Sequence, residues 1–151
     1  MRVRARRRVA HSSSSFDLSM DRDDQTNPHM LARVVNQGDV FWIEPDPSRG
    51  SVPGVAHPHV VVQDDVFNHS RIGTVVVCAL SSNPARAGEP GNVALEAGEG
   101  GLAKRSVVVV SQVSSLYKAR LGEHIGVLSP QRVAQILAGM RFLQASFFDR
   151  R

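Results

Sequence analysis

Two side chains that stand where apolar runs end could carry chemistry. His57 closes a loop rich in glycine and proline, Arg49-Gly50-Ser51-Val52-Pro53-Gly54-Val55-Ala56-His57-Pro58, and Ser81 opens the turn Ser81-Ser82-Asn83-Pro84. A histidine with an unperturbed pKa of ~6.5 can accept or release a proton near neutrality. A serine hydroxyl donates one hydrogen bond and accepts others. Loops of this kind, set between buried strands, are where a small β-domain exposes functional groups. A metal centre is a weak alternative: of six histidines only His57-Pro58-His59 form a close pair, and no Cys or carboxylate partner stands at ligand spacing. No metal or other cofactor is implied.

The elements that must hold these groups are mostly strands. Val40-Phe41-Trp42-Ile43 is apolar on both faces, as a buried strand is, and Pro45, Pro47 and Gly50 stop it. His59 to Gln63 and Thr74 to Leu80 read as a hairpin across the polar turn Asn68 to Gly73. Asn92 to Glu96 alternates, and Ser106-Val107-Val108-Val109-Val110 is the strongest β signal, because consecutive β-branched residues are stiff at χ1. From Ser129 the period becomes helical, with Val133, Ile136, Leu137, Met140, Leu143 and Phe147 on one face, Ser129 as cap and Pro130 in the first helical position. Short strands followed by one helix predict an α+β, mainly β chain: a small, partly closed barrel with helical cover.

Composition bounds the rest. A chain of 151 residues with 42% hydrophobic residues can bury a core, and with 5% aromatics that core is built of Val, Leu, Ile and Ala. The single cysteine, Cys78, lies in an apolar run and reads as a small buried hydrophobe, which fits a cytoplasmic protein. Nothing approaches the ~20 apolar residues of a membrane span. Residues 1–33 hold an Arg cluster, a serine run and an acidic patch without apolar periodicity, and read as a disordered extension ahead of a folded domain at 34–148. The formal charge of +4 divides evenly, +2 over residues 1–29 and +2 over the remainder, so an anionic partner is permitted but not demanded.

Taken in order, Gly38-Asp39-Val40-Phe41-Trp42, Pro45-Asp46-Pro47, Gly50-Ser51, Pro58-His59-Val60-Val61-Val62, Asn68 and Val77-Cys78-Ala79-Leu80-Ser81-Ser82 resemble the PemK/MazF toxins of type II toxin-antitoxin systems. The resemblance continues through Ser111-Gln112-Val113-Ser114-Ser115-Leu116, Arg120-Leu121 and Ile125-Gly126-Val127-Leu128 into the final helix, covering about Val35 to Gln144. It implies an SH3-like barrel with a C-terminal helix, and a metal-independent endoribonuclease that cleaves single-stranded RNA. The family chemistry is attack by the ribose 2′-hydroxyl on the adjacent phosphate. The implied partners are single-stranded RNA, a cognate antitoxin and a second copy of the chain, with DNA reached only through the antitoxin.

The same resemblance aligns His57 with the position where the family carries Arg, Ser81 with its Thr, and Val52 with its acid. Ser keeps the hydroxyl. His replaces a permanent planar cation by a titratable ring that gives one donor and one acceptor. Two readings follow: a ribonuclease in which His57 takes the proton work beside Ser81, or an impaired homologue that binds RNA or protein without cutting. Arg49, Ser82 and Arg86 are the candidate phosphate contacts, and Phe67 is the candidate base-stacking side chain. Trp42 is expected in the core, and His69 and His124 in solvated turns.

Overall fold

The computed structural model describes residues 34–46 and 54–148, with side chains through residue 145. The N-terminal extension, Arg49 and Val52 lie outside the described residues. The elements are β1 (Asp39–Ile43), β2 (His57–Val61), a one-turn helix α1 (Asp65–Asn68), β3 (Thr74–Ser81), β4 (Val93–Leu95), β5 (Ser106–Tyr117), β6 (His124–Val127) and α2 (Pro130–Phe148). Single 3₁₀ turns occupy Pro84–Gly88, Glu99–Gly101 and Lys118–Arg120.

All six strands join one antiparallel sheet in the order β4-β5-β3-β2-β1-β6. It curls into the expected small half-barrel because its central strands are apolar on both faces. Val40, Val60, Cys78, Leu80 and Val108 bury one face together with Ile136, Val133 and Met140 of α2. Phe41, Ile43, Val61, Val75 and Val77 bury the other against Val35, Leu116 and Leu121. The curl is concentrated in β5. Between the pairs Cys78↔Val113 and Leu80↔Val108, β3 advances two residues while β5 advances five. A bulge of this kind bends the strand and raises its twist. Cys78 sits at that irregularity and donates its thiol hydrogen to the Val109 carbonyl at 2.9 Å. Burial pushes the thiol pKa up to about 12.

Two sequence expectations need revision, and one strand was not anticipated. β5 runs to Tyr117 rather than ending at Val110; its outer half, Ser111 to Tyr117, is largely exposed, so hydrophobic content does not mark it. β6 is a short strand of half-buried and exposed residues around Gly126, without a β-branched run. Leu143 is exposed, as are Arg141, Phe142, Gln144 and Ala145, so the described side chains of α2 are buried only in its N-terminal half; the Phe147 side chain lies outside the described ones. That half is well seated. Ser129 Oγ accepts from the Arg132 amide, and the Arg132 guanidinium grips Glu99 at 2.8 and 3.1 Å. This bidentate partner and the Glu96 amide hold the Glu99 carboxyl below the usual glutamate range.

Where α2 crosses the loop ahead of β4, Gly139 faces Gly91 backbone to backbone, and a Cβ on Gly139 would run into the Gly91 carbonyl. Gly91 itself has φ +82°, a conformation that L side chains rarely adopt. In an ordinary exposed helix Gly→Ala gains about 1 kcal/mol. Here Gly139→Ala is expected to lose about 2 kcal/mol through overpacking, a reversal of sign that urea denaturation measures directly.

Candidate active site

β2 starts at His57 and β3 ends at Ser81, and the antiparallel ladder brings these ends together. His59 pairs with Ala79, Val60 with Cys78 and Val61 with Val77. Ile43 of β1 is paired to His57, and Val107 of β5 is paired to Ser81. The pairs of β2 with β3 end at His59↔Ala79, so the two residues singled out from sequence stand at neighbouring ends of adjacent strands, just beyond the ladder.

The environment of each is asymmetric. The His57 ring is exposed, while Ser81 is half-buried and its Oγ accepts a hydrogen bond from the Asn83 amide at 3.1 Å, leaving the hydroxyl hydrogen to donate. Asn83 caps the following 3₁₀ turn through the Ala85 amide. Ser82 is exposed beside it. Arg86 lies in that turn, and its guanidinium is engaged by Glu89 at 3.0 and 3.2 Å.

One further residue belongs with this group. His59 lies two residues along β2 from His57, on the same face, and its Nδ1 donates to the His57 carbonyl at 3.0 Å. That bond fixes the neutral tautomer and leaves Nε2 as an acceptor. Desolvation by burial is the largest influence on His59 and lowers its pKa; the hydrogen bond to His57 opposes this, and the nearby His57 ring adds to it. The alternation His57-Pro58-His59 was the available signal, since period two puts both rings on one face.

Other groups sit elsewhere. Phe67 is half exposed on α1, beyond the far end of β2, roughly 15 Å of strand from His57, and the structure does not bring it to the strand ends of His57 and Ser81. Trp42 is not a core residue: at 39% exposure it lines a surface cleft with Glu44, Pro45, Ala56, Arg120 and Glu123. His124 and His69 are partnered rather than merely solvated. His124 Nε2 meets Oδ1 of Asp39, a carboxylate only 3% exposed, at 3.1 Å, and its ring packs edge-on against Phe41. His69 Nε2 donates to the Asn36 side-chain carbonyl at 2.8 Å. Asp65 ties the same corner, accepting from Asn68 and from the Gln37 amide, and both bonds hold its carboxyl low. Among the described residues no group of three or more His, Cys, Asp and Glu is arranged to hold a metal ion, and no helix is long and apolar enough to cross a membrane.

Because His59 binds its proton less readily when folded than when unfolded, the sign of its effect on stability is determined. Stability is present above the ordinary histidine value of ~6.5 and is lost as pH falls from there through the lowered folded pKa. An NMR titration should give His59 a midpoint below 6.5, and His59→Phe should flatten that limb of the stability profile. A midpoint at or above 6.5 would refute the burial account.

Comparison with known proteins agrees with this fold. The family described as PemK-like, MazF-like toxin of type II toxin-antitoxin system matches residues 36–143. Over 108 residues the chain is 33% identical to endoribonuclease MazF2 of Mycobacterium bovis and to endoribonuclease MazF6 of Mycobacterium tuberculosis, covering 72% of this chain and 95% of each relative. Among solved structures, it is similar to a mycobacterial endoribonuclease in complex with its cognate antitoxin (TM-score 0.60, 22% identity, 74% of this chain and 95% of that one). It is similar also to the MazE–MazF structure (Form-II) from Deinococcus radiodurans (TM-score 0.62, 22% identity, 76% of this chain and 98% of that one). The chain thus shares its fold with these proteins, and it belongs to the PemK/MazF family of type II toxin-antitoxin toxins.

Proposed function

We propose that the chain is an endoribonuclease toxin that cleaves single-stranded RNA at His57 and Ser81 without a metal ion, and that residues 34–148 form its catalytic domain. The observation that supports this reading is that β2 and β3 are paired neighbours whose adjacent ends carry an exposed imidazole, His57, and a half-buried hydroxyl, Ser81. Relatives 33% identical to it over 108 residues are named endoribonucleases.

In this reading His57 removes the proton of the ribose 2′-hydroxyl, and O2′ forms a bond to phosphorus. The P–O5′ bond breaks, and the leaving oxygen takes a proton, giving a 2′,3′-cyclic phosphate and a 5′-hydroxyl. Ser81 donates its free hydroxyl hydrogen to a non-bridging phosphate oxygen, where charge develops. His59 acts through His57, since its bond to the His57 carbonyl fixes the backbone that presents the imidazole. Arg49, Ser82 and Arg86 contact phosphate, Arg86 by exchanging Glu89 for it. Phe67, at the other end of the strands, is left as a stacking surface for a distant nucleotide.

The partners follow the same reading: single-stranded RNA, a cognate antitoxin, and a second copy of this chain in the cytoplasm. A structural neighbour is in complex with its cognate antitoxin. The outer half of β5 supports association, because Ser111 to Tyr117 is an edge with neither charge nor proline among its residues, a kind of edge that proteins otherwise blunt.

Incubated with mixed single-stranded RNA in EDTA, the chain should release fragments with 5′-hydroxyl ends. His57→Ala should slow cleavage by ~10²–10⁴-fold, and Ser81→Ala by ~10-fold or more. Cleavage unchanged by His57→Ala would overturn the assignment, and no cleavage by any variant would favour a binding module. Light scattering after gel filtration should give twice the 16.4 kDa chain mass; the monomer mass at micromolar concentration would remove the dimer.

A further inference from the structure

We infer that the cleft over Trp42 is a specificity pocket that takes one unpaired RNA base carrying amino or imino donors, guanine above all. The inference rests on the ribonuclease reading and names a selective subsite for it. The cleft holds about 470 Å³, room enough for a nucleobase, and is walled by Trp42, Glu44, Pro45, Ala56, Arg120 and Glu123.

Three features say what fits there. First, Trp42 is 39% exposed although its strand neighbours Phe41 and Ile43 are buried, so the core does not account for the indole. An exposed indole is a stacking platform for any base. Second, the Glu44 and Glu123 side chains are exposed and have no hydrogen-bond or ion-pair partner among the described residues. The Arg120 guanidinium is occupied, by Asp46 at 3.3 Å and by the Glu44 carbonyl at 3.0 Å. A cleft with two carboxylates and an engaged cation repels phosphate and accepts hydrogen bonds. Guanine offers N1–H and N2–H₂ side by side to one carboxylate, and cytosine and adenine offer a single amino group, whereas uracil flanks its N3–H with two carbonyls.

Third, the cleft adjoins His57 along the chain. Ala56, in its wall, directly precedes His57, and Trp42 is paired with Pro58. By alternation the cleft lies on the opposite face of β2 from the His57 side chain. An RNA strand that turns around the end of the β1–β2 ribbon presents a phosphate to His57 and a neighbouring base to Trp42.

Trp42 is the single tryptophan of the chain, so its fluorescence reports on the cleft alone. The full chain is titrated with 2′-O-methyl heptanucleotides, which cannot be cleaved, carrying guanine, adenine, cytosine or uracil at each position, and binding is followed separately by anisotropy of a labelled oligonucleotide. The expected result is quenching of Trp42, with guanine at one position binding about tenfold tighter than uracil there. Glu44→Gln and Glu123→Gln should reduce that preference while leaving the fold intact, since both side chains are exposed. RNA that binds without changing Trp42 fluorescence, or a preference that survives in both variants, overturns the inference. So does quenching by arginine-containing peptides with none by RNA. Quenching by RNA in a chain that cleaves nothing supports the pocket and removes the ribonuclease; cleavage without quenching does the reverse.

Discussion

The molecule depends on β2 being hydrogen-bonded on both edges and buried on both faces. Val60 faces the cluster under α2 and Val61 the opposite cluster, while β1 and β3 flank the strand on either side. A slip of one residue would exchange the two faces and expose both valines, so the register is strongly determined. Slipping would also move His57 relative to Ser81. The same burial that stabilises the sheet therefore holds β2 and β3 side by side, and with them the strand ends that carry the groups proposed to act on RNA.

The electrostatics are more local than a net charge of +4 suggests. Arg86, Arg105, Arg120 and Arg132 each face a carboxylate, namely Glu89, Glu96, Asp46 and Glu99. Among the described residues, part of the basic composition is thus taken up by internal pairing, worth little individually at an exposed surface. What is left is a pair of strand ends whose catalytic potential lies in imidazole and hydroxyl groups, beside a cleft whose rim repels phosphate.

Legibility followed burial. Val40 to Ile43, Thr74 to Leu80 and Ser106 to Val110 could be read as strands because apolar β-branched runs have one comfortable conformation, and Ser129-Pro130 marked the start of α2 for equally local reasons. The outer half of β5 and all of β6 are held by partners rather than by their own composition, so nothing local announced them. The placement of His57 and Ser81 at strand ends was legible, and that these ends are neighbours needed the ladder. The partnership of His124 with Asp39 spans 85 residues and was out of reach. Trp42 was misplaced because a tryptophan in an apolar strand is usually core, whereas here it is 39% exposed; Gly122, ahead of β6, packs closely on the Trp42 backbone and donates to its carbonyl.

The most direct test of where the RNA is handled is an amide NMR titration with a non-cleavable 2′-O-methyl oligonucleotide. The account predicts the largest shifts at residues 57–59 and 81–82, the two neighbouring strand ends. Shifts concentrated at residues 65–73, around Phe67 at the other end of the same strands, would contradict it.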